Sequence, residues 1–112
     1  MRIFFLFQFL LVSVLVNAGQ RFIKTSDSVD LFVRVKGEGP VCLYIHGGPG
    51  SGSDWLEQFM GDSLERHFKM VYLDQRGVGR SSTPANHDYS MVRMVKDFEE
   101  VRKALGIEKW LI

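Results

Sequence analysis

The chain has 112 residues, 46% hydrophobic, 12% aromatic and 24% charged, with 14 Lys and Arg set against 13 Asp and Glu. So even a balance carries no electrostatic footprint for nucleic acid, and 11 Gly, 3 Pro and a single Cys exclude collagen, a disulfide scaffold and a wholly disordered chain. Four of the nine Phe crowd into the first eighteen residues, which are therefore read apart from the rest.

Residues 1–18 have the form of an export signal. Arg2 supplies the positive start, Ile3 to Val16 is apolar except for Gln8 and Ser13, and Val16-Asn17-Ala18 offers a cleavage site after Ala18. The run is shorter than the ~20 residues a helix needs to cross the hydrocarbon core, so no stable membrane anchor is expected. The expectation is a signal peptide over 1–18, a domain portion over 19–112, and a mature protein that is secreted or periplasmic. Cys42, the lone thiol, lies in an apolar run and is read as inert packing.

The mature chain alternates strands with helices. Gln20 to Thr25 and Val29 to Lys36 flank Ser26-Asp27-Ser28 and predict a hairpin, with Leu31, Val33 and Val35 on the more buried face of its second strand. Val41 to Ile45 is apolar at every position, as a strand covered on both faces requires. The glycine-rich stretch His46 to Gly52 follows at once. Ser53 or Asp54 then caps a helix with Trp55, Leu56, Phe59 and Met60 on one side, interrupted at Gly61, with a turn over Ser63 to His67. Phe68 to Leu73 predicts a second buried strand, Asp74 to Ser82 a polar loop, and Thr83-Pro84 an extended connection. From Ser90 the apolar residues Met91, Met94, Val95, Phe98, Val101 and Leu105 recur at three- and four-residue steps, predicting a helix that ends at Gly106. Trp110-Leu111-Ile112 begins another strand. The layout is α/β: a leading antiparallel hairpin, then parallel strands joined by crossover helices. Chemistry in such folds sits at the carboxyl ends of the strands, where His46 to Gly52 and Asp74 to Ser82 both emerge.

Two chemistries use a glycine-rich turn at such a place. Phosphate binding fits poorly, because Ser53 and Asp54 stand where a phosphate loop needs Lys and Ser or Thr, and Asp54 repels an anion. Gly77-Val78-Gly79 is too short a fragment of a dinucleotide fingerprint to count. An oxyanion hole fits better, since glycine leaves its amide open to a substrate oxygen that gains charge during acyl transfer. Pro49 has no N–H, so the donor is the amide of Gly47 or Gly48.

His46-Gly47-Gly48-Pro49-Gly50, followed by Asp74-Gln75-Arg76-Gly77-Val78-Gly79-Arg80-Ser81, resembles the paired signature of α/β-hydrolases of the proline iminopeptidase type. Tyr72-Leu73 and Leu105-Gly106-Ile107 are similar to that family as well. The resemblance implies the N-terminal part of an α/β-hydrolase fold, with the Gly48 amide as half of the oxyanion hole, Gly47 as the alternative donor and His46 as a brace for the loop. It further implies that Asp74, Gln75, Arg76, Gly77, Gly79 and Arg80 shape the floor of the site or meet substrate. Arg76 and Arg80 have two readings: a substrate carboxylate, or a structural pair with Asp74 or a loop carbonyl. Trp55, Phe59, Met91 and Met94 are read as core, His67 and His87 as solvated.

The family's nucleophile sits at a Gly-x-Ser-x-Gly elbow, with the acid and the catalytic His further on. No such elbow occurs in these 112 residues. Two readings remain. In the first, the chain is the front of an exported serine hydrolase, cut before its elbow and inactive alone, whose whole form cleaves a peptide or ester. In the second, it is a non-catalytic secreted binding module built on the front of the fold. Neither calls for a metal, a cofactor or nucleic acid, since no His, Cys, Asp and Glu have ligand spacing.

Overall fold

The first two strands, β1 (Gln20–Lys24) and β2 (Asp30–Lys36), form the expected antiparallel hairpin with Ile23 opposite Leu31. Its turn is held locally: Ser28 takes φ +67°, the Thr25 hydroxyl accepts from the Val29 amide at 3.0 Å and donates to Asp27 Oδ1 at 2.6 Å. These strands belong to a computed structural model that describes residues 19–47 and 51–112. The expected signal peptide, and with it the cleavage site at Ala18, lies outside the described residues.

β3 (Val41–Ile45) and β4 (Lys69–Leu73) are parallel neighbours, and β4 also pairs antiparallel with β2, so the sheet order is β1-β2-β4-β3. Between them runs α1 (Asp54–Leu64), and α2 (Met91–Ala104) follows β4. On the far side of β3, Leu111 makes a parallel bridge to Cys42, with its amide on the Val41 carbonyl at 2.9 Å and its carbonyl on the Leu43 amide at 2.8 Å. The strand expected from Trp110 is therefore present as this single bridge, on the side of β3 away from β4.

The core is aliphatic: Ile23, Val29, Leu31, Val33, Leu43, Val71, Leu73 and Val101 are buried together, with Phe98, Leu105, Ile107 and Trp110 packed against them. Each fully buried side chain of this kind stabilises the fold by about 1.5–3 kcal/mol. β4 is buried from Met70 to Leu73, whereas β3, expected to be covered on both faces, ends the strand order with only Leu43 buried. α2 starts where its cap predicts, the Ser90 hydroxyl accepting from the Arg93 amide at 3.2 Å, and ends before Gly106 at φ +69°.

Several expectations are corrected. Phe32, on the supposedly open side of β2, is only 4% exposed, because the Arg80 guanidinium lies 3.7 Å from its ring centroid and Phe22 meets it edge-on at 5.6 Å. α1 runs through Gly61 rather than breaking there: the glycine is buried, and a Cβ at that position would come within 3.3 Å of the Tyr72 hydroxyl. Trp55 and Phe59 are not core. They are 62% and 70% exposed and lean on each other at 5.4 Å. Met91 is likewise 79% exposed and Met94 only half-buried, because α2 turns Arg93, Asp97 and Val101 inward at four-residue steps. Its inner face is set by charged partners as much as by apolar ones. Cys42 is half-buried, and that burial pushes its thiol up from the ordinary value.

Gly37 fixes how the turn into β3 packs. It adopts φ +97°, and a Cβ there would stand 2.3 Å from the Phe68 carbonyl oxygen and 2.8 Å from Glu65 Cα, both backbone atoms with nowhere to go. Gly37→Ala is expected to cost more than about 2 kcal/mol in a urea titration, from left-handed strain together with overpacking. A midpoint equal to that of the parent would contradict this packing.

Candidate active site

Parallel pairing of β3 with β4 places Ile45 beside Leu73, so the two strands deliver His46 and Asp74 side by side. The two unusual loops meet there, as expected for neighbouring strands. His46 is buried, and Gln75 holds it twice: the Gln75 main-chain amide donates to His46 Nε2 at 2.9 Å, and its side-chain Nε2 donates to the His46 carbonyl at 2.6 Å. His46 Nδ1 lies 3.3 Å from the Gly47 carbonyl oxygen. Gln75 thus fixes His46 at the exit of β3. Gly47 is exposed, and a Cβ there would meet nothing within 4 Å. Gly48, the expected oxyanion donor, lies with Pro49 and Gly50 outside the described residues.

Asp74 anchors the other side. Its Oδ1 accepts from the Ser53 amide and hydroxyl, both at 2.8 Å, and its Oδ2 from the Arg80 amide at 3.0 Å and Arg80 Nε at 2.8 Å. Ser53, the residue expected to cap α1, spends its hydroxyl here and makes no side-chain cap bond. Burial alone raises the Asp74 carboxyl, but bonds from Arg80 and Ser53 outweigh it and hold the group well below the usual carboxylate range. Glycines on both sides allow this convergence, since a Cβ on Gly52 would lie 3.0 Å from Oδ1 and one on Gly79, at φ +55°, 2.6 Å from Oδ2. Arg80 is therefore the structural partner of Asp74 that one of its two readings foresaw.

Arg76 is buried completely and uses all five of its N–H donors. Asp97 takes Nε and Nη2 at 2.7 and 2.9 Å, Asp27 takes Nη1 and Nη2 at 2.9 Å each, and the Asp88 carbonyl takes Nη1 at 2.8 Å. No donor is left for a substrate carboxylate. Arg93 extends the set to Asp97, Glu100 and the Ser26 hydroxyl. Gly77, at φ +73°, lies against the Tyr89 ring.

Sequence reasoning missed Ser53, Ser82, Asp27, Arg93 and Asp97 as parts of this floor. Ser82 accepts from the Asp30 amide at 2.8 Å, while Ser81 accepts from the Phe32 amide at 2.9 Å and donates to the Asp74 carbonyl at 2.5 Å, tying the loop to β2. The available signal was Arg93 and Asp97, an i,i+4 opposite pair abutting the apolar stripe. His67 and His87 are exposed as expected. Among the described residues no histidine nitrogen bonds a serine, threonine or cysteine, and both His46 ring nitrogens are engaged, so the arrangement orients a turn rather than activating a nucleophile.

A mixed sheet, a glycine-rich turn at the carboxyl end of β3 and an Asp-Gln-Arg-Gly loop beside it define a hydrolase scaffold, and the family model for the alpha/beta hydrolase fold matches residues 40–112. The chain belongs to that family. It is 36% identical over 96 residues to a protein of Mycoplasma genitalium named as a proline iminopeptidase, covering 81% of this chain and 30% of that one. It is 37% identical over 75 residues to RutD of Escherichia coli O9:H4, named as a carbamate hydrolase, covering 67% of this chain and 27% of RutD. Among solved structures, the esterase EaEST from Exiguobacterium antarcticum superposes with a TM-score of 0.68 at 29% identity, over 77% of this chain and 31% of the esterase. The chain thus spans less than a third of the length of these three proteins.

Proposed function

We propose that this chain is the front of a serine hydrolase that transfers an acyl group from a small peptide or ester to water, and that the whole protein is exported. The observation that carries the reading is the double hold of Gln75 on His46, which fixes the start of the glycine-rich turn at the strand end where a substrate carbonyl would sit. In this reading the amide of Gly48, or that of Gly47, faces the oxygen of a tetrahedral intermediate, and preorganised donors of this kind are worth about 10²–10³ in kcat each. On this reading the attacking serine, the acid and the base belong to the part of the hydrolase fold that this chain does not span, and the 112 residues alone are expected to turn nothing over. Names of the relatives support peptide, carbamate and ester chemistry in equal measure, all of it attack on an acyl carbon.

The test is to extend the reading frame past Ile112, express the product and treat it with a serine-directed phosphonate. Stoichiometric labelling at a Gly-x-Ser-x-Gly elbow, abolished by changing that Ser to Ala, is the expected result. An extended protein without an elbow, or one that takes no label and cleaves no peptide or ester, would end the proposal.

A further inference from the structure

β1 stands at one end of the strand order, so its outer edge is unpaired among the described residues. Its ladder to β2 shows which residues use that edge. The Val35 amide donates to the Gly19 carbonyl at 2.7 Å and the Thr25 amide to the Val29 carbonyl at 2.8 Å, so the odd-numbered residues of β1 spend their main-chain groups on β2. The N–H and C=O groups of Gln20, Phe22 and Lys24 therefore point outward.

An edge of this kind is normally guarded by a proline, a bulge or an unpaired charge. β1 contains no proline, and its register with β2 runs without a bulge from Gln20 to Lys24. Its polar side chains are turned back on the same molecule: Arg21 donates to the Ala104 carbonyl at 2.6 Å, Lys24 pairs with Asp30 at 3.0 Å, and Gln20 accepts from Arg34 at 2.8 Å. What the edge presents at its midpoint is Phe22, 59% exposed and seated edge-on against Phe32.

We propose that β1 is a self-association edge, which pairs antiparallel with β1 of a second copy about a two-fold axis at Phe22 and joins the two sheets into one. That axis sets Phe22 against its own counterpart and Gln20 against Lys24 of the second copy, and each such pair exchanges both main-chain bonds. No like charges face each other, and the Phe22 rings leave water together. An axis at Lys24 would oppose two ammonium groups, and one at Gln20 would carry Phe22 beyond the second copy's β1. The pairing needs no part of the hydrolase reading. A strand of 5 residues makes a small interface, so association is expected at about 10–100 μM rather than at nM concentrations.

Hydrogen exchange and sedimentation of the full chain decide this. In dilute solution the amides of Gln20, Phe22 and Lys24 are expected to exchange fast while those of Arg21 and Ile23 are protected. From about 10 μM to about 1 mM the mass should double and the outer amides should slow at least about tenfold. Phe22→Lys sets two ammonium groups across the axis, and Gln20→Pro deletes an outward N–H that β2 does not use. Either variant, with Arg21 and Ile23 still protected as proof of an intact hairpin, is expected to weaken association about tenfold. A chain that stays monomeric over that range overturns the proposal, as does association that leaves the outer amides fast. Outer amides slow at every dilution, the mark of an occupant from the same chain, or hairpin-intact variants that associate like the parent, overturn it equally.

Discussion

Arg76→Leu is expected to unfold the chain at denaturant concentrations where the parent stays folded, with a loss of about 3–5 kcal/mol. The side chain is wholly inaccessible and lies between Asp27, on the hairpin turn, and Asp97, on α2. Bonds from Arg76 hold the Asp27 carboxyl far below its usual range, with burial opposing, and Arg76 itself is raised in turn. Removing the cation leaves Asp97 and Asp27 sharing Arg93 alone, and an uncompensated buried carboxylate is far costlier than a missing contact. Arg76→Lys should recover only part of the loss. One ammonium has three donors and no planar fork, and cannot serve two carboxylates and the Asp88 carbonyl together. An unfolding free energy within about 1 kcal/mol of the parent's, on the usual scale of about 5–15 kcal/mol total, would show that the network is dispensable.

Asp74→Asn is expected to cost about 2–4 kcal/mol at pH 7, because the new amide puts a donor where Arg80 offers two N–H groups. It also carries a pH signature. The folded-state value of Asp74 is depressed, so its contribution is fully present above the ordinary carboxylate value of 3.8 and is lost as pH falls through the folded-state value below it. The gap in stability between parent and variant should hold constant from pH 7 to about 5 and narrow as acid is added beyond that. A gap that widens in acid, or none at neutral pH, would mean the carboxylate is not the hub of this loop. Thermal or urea unfolding at four or five pH values is enough to decide.

Much of the architecture was legible because local signals and burial agreed. The unbroken apolar runs marked β3 and β4 as strands, although only β4 is central and β3 ends the order half-buried; Ser90 and Gly106 bracketed α2, and two motifs leaving adjacent strand ends implied a shared floor. What could not be read was decided by partners distant in sequence. Phe32 looks exposed by alternation, yet a guanidinium 48 positions later covers it. Arg93 and Asp97 look like a solvated face until Arg76 is placed opposite them, after which the charged residues compete successfully for the inner side of α2 and Met91 is displaced outward. Trp55 and Phe59 follow the helical period faithfully, but the period says only that they share a face and not that anything covers it. At the site, the glycines and His46 were visible as a pattern, while the role of Gln75 emerged only when parallel register set it against His46.

The interleaved strand order has a consequence for synthesis. β1 and β2 are contiguous, and a hairpin of this size closes in about 1–10 μs. The open edge of β2 is then filled not by β3, which comes next off the ribosome, but by β4. At about 5–20 residues per second, the nascent chain needs roughly two to seven seconds to travel from Lys36 to Leu73. For that interval β2 waits with half its ladder unmade and β3 has no neighbour on the β4 side, which makes this stretch of translation the one in which a chaperone or a slow codon would matter most.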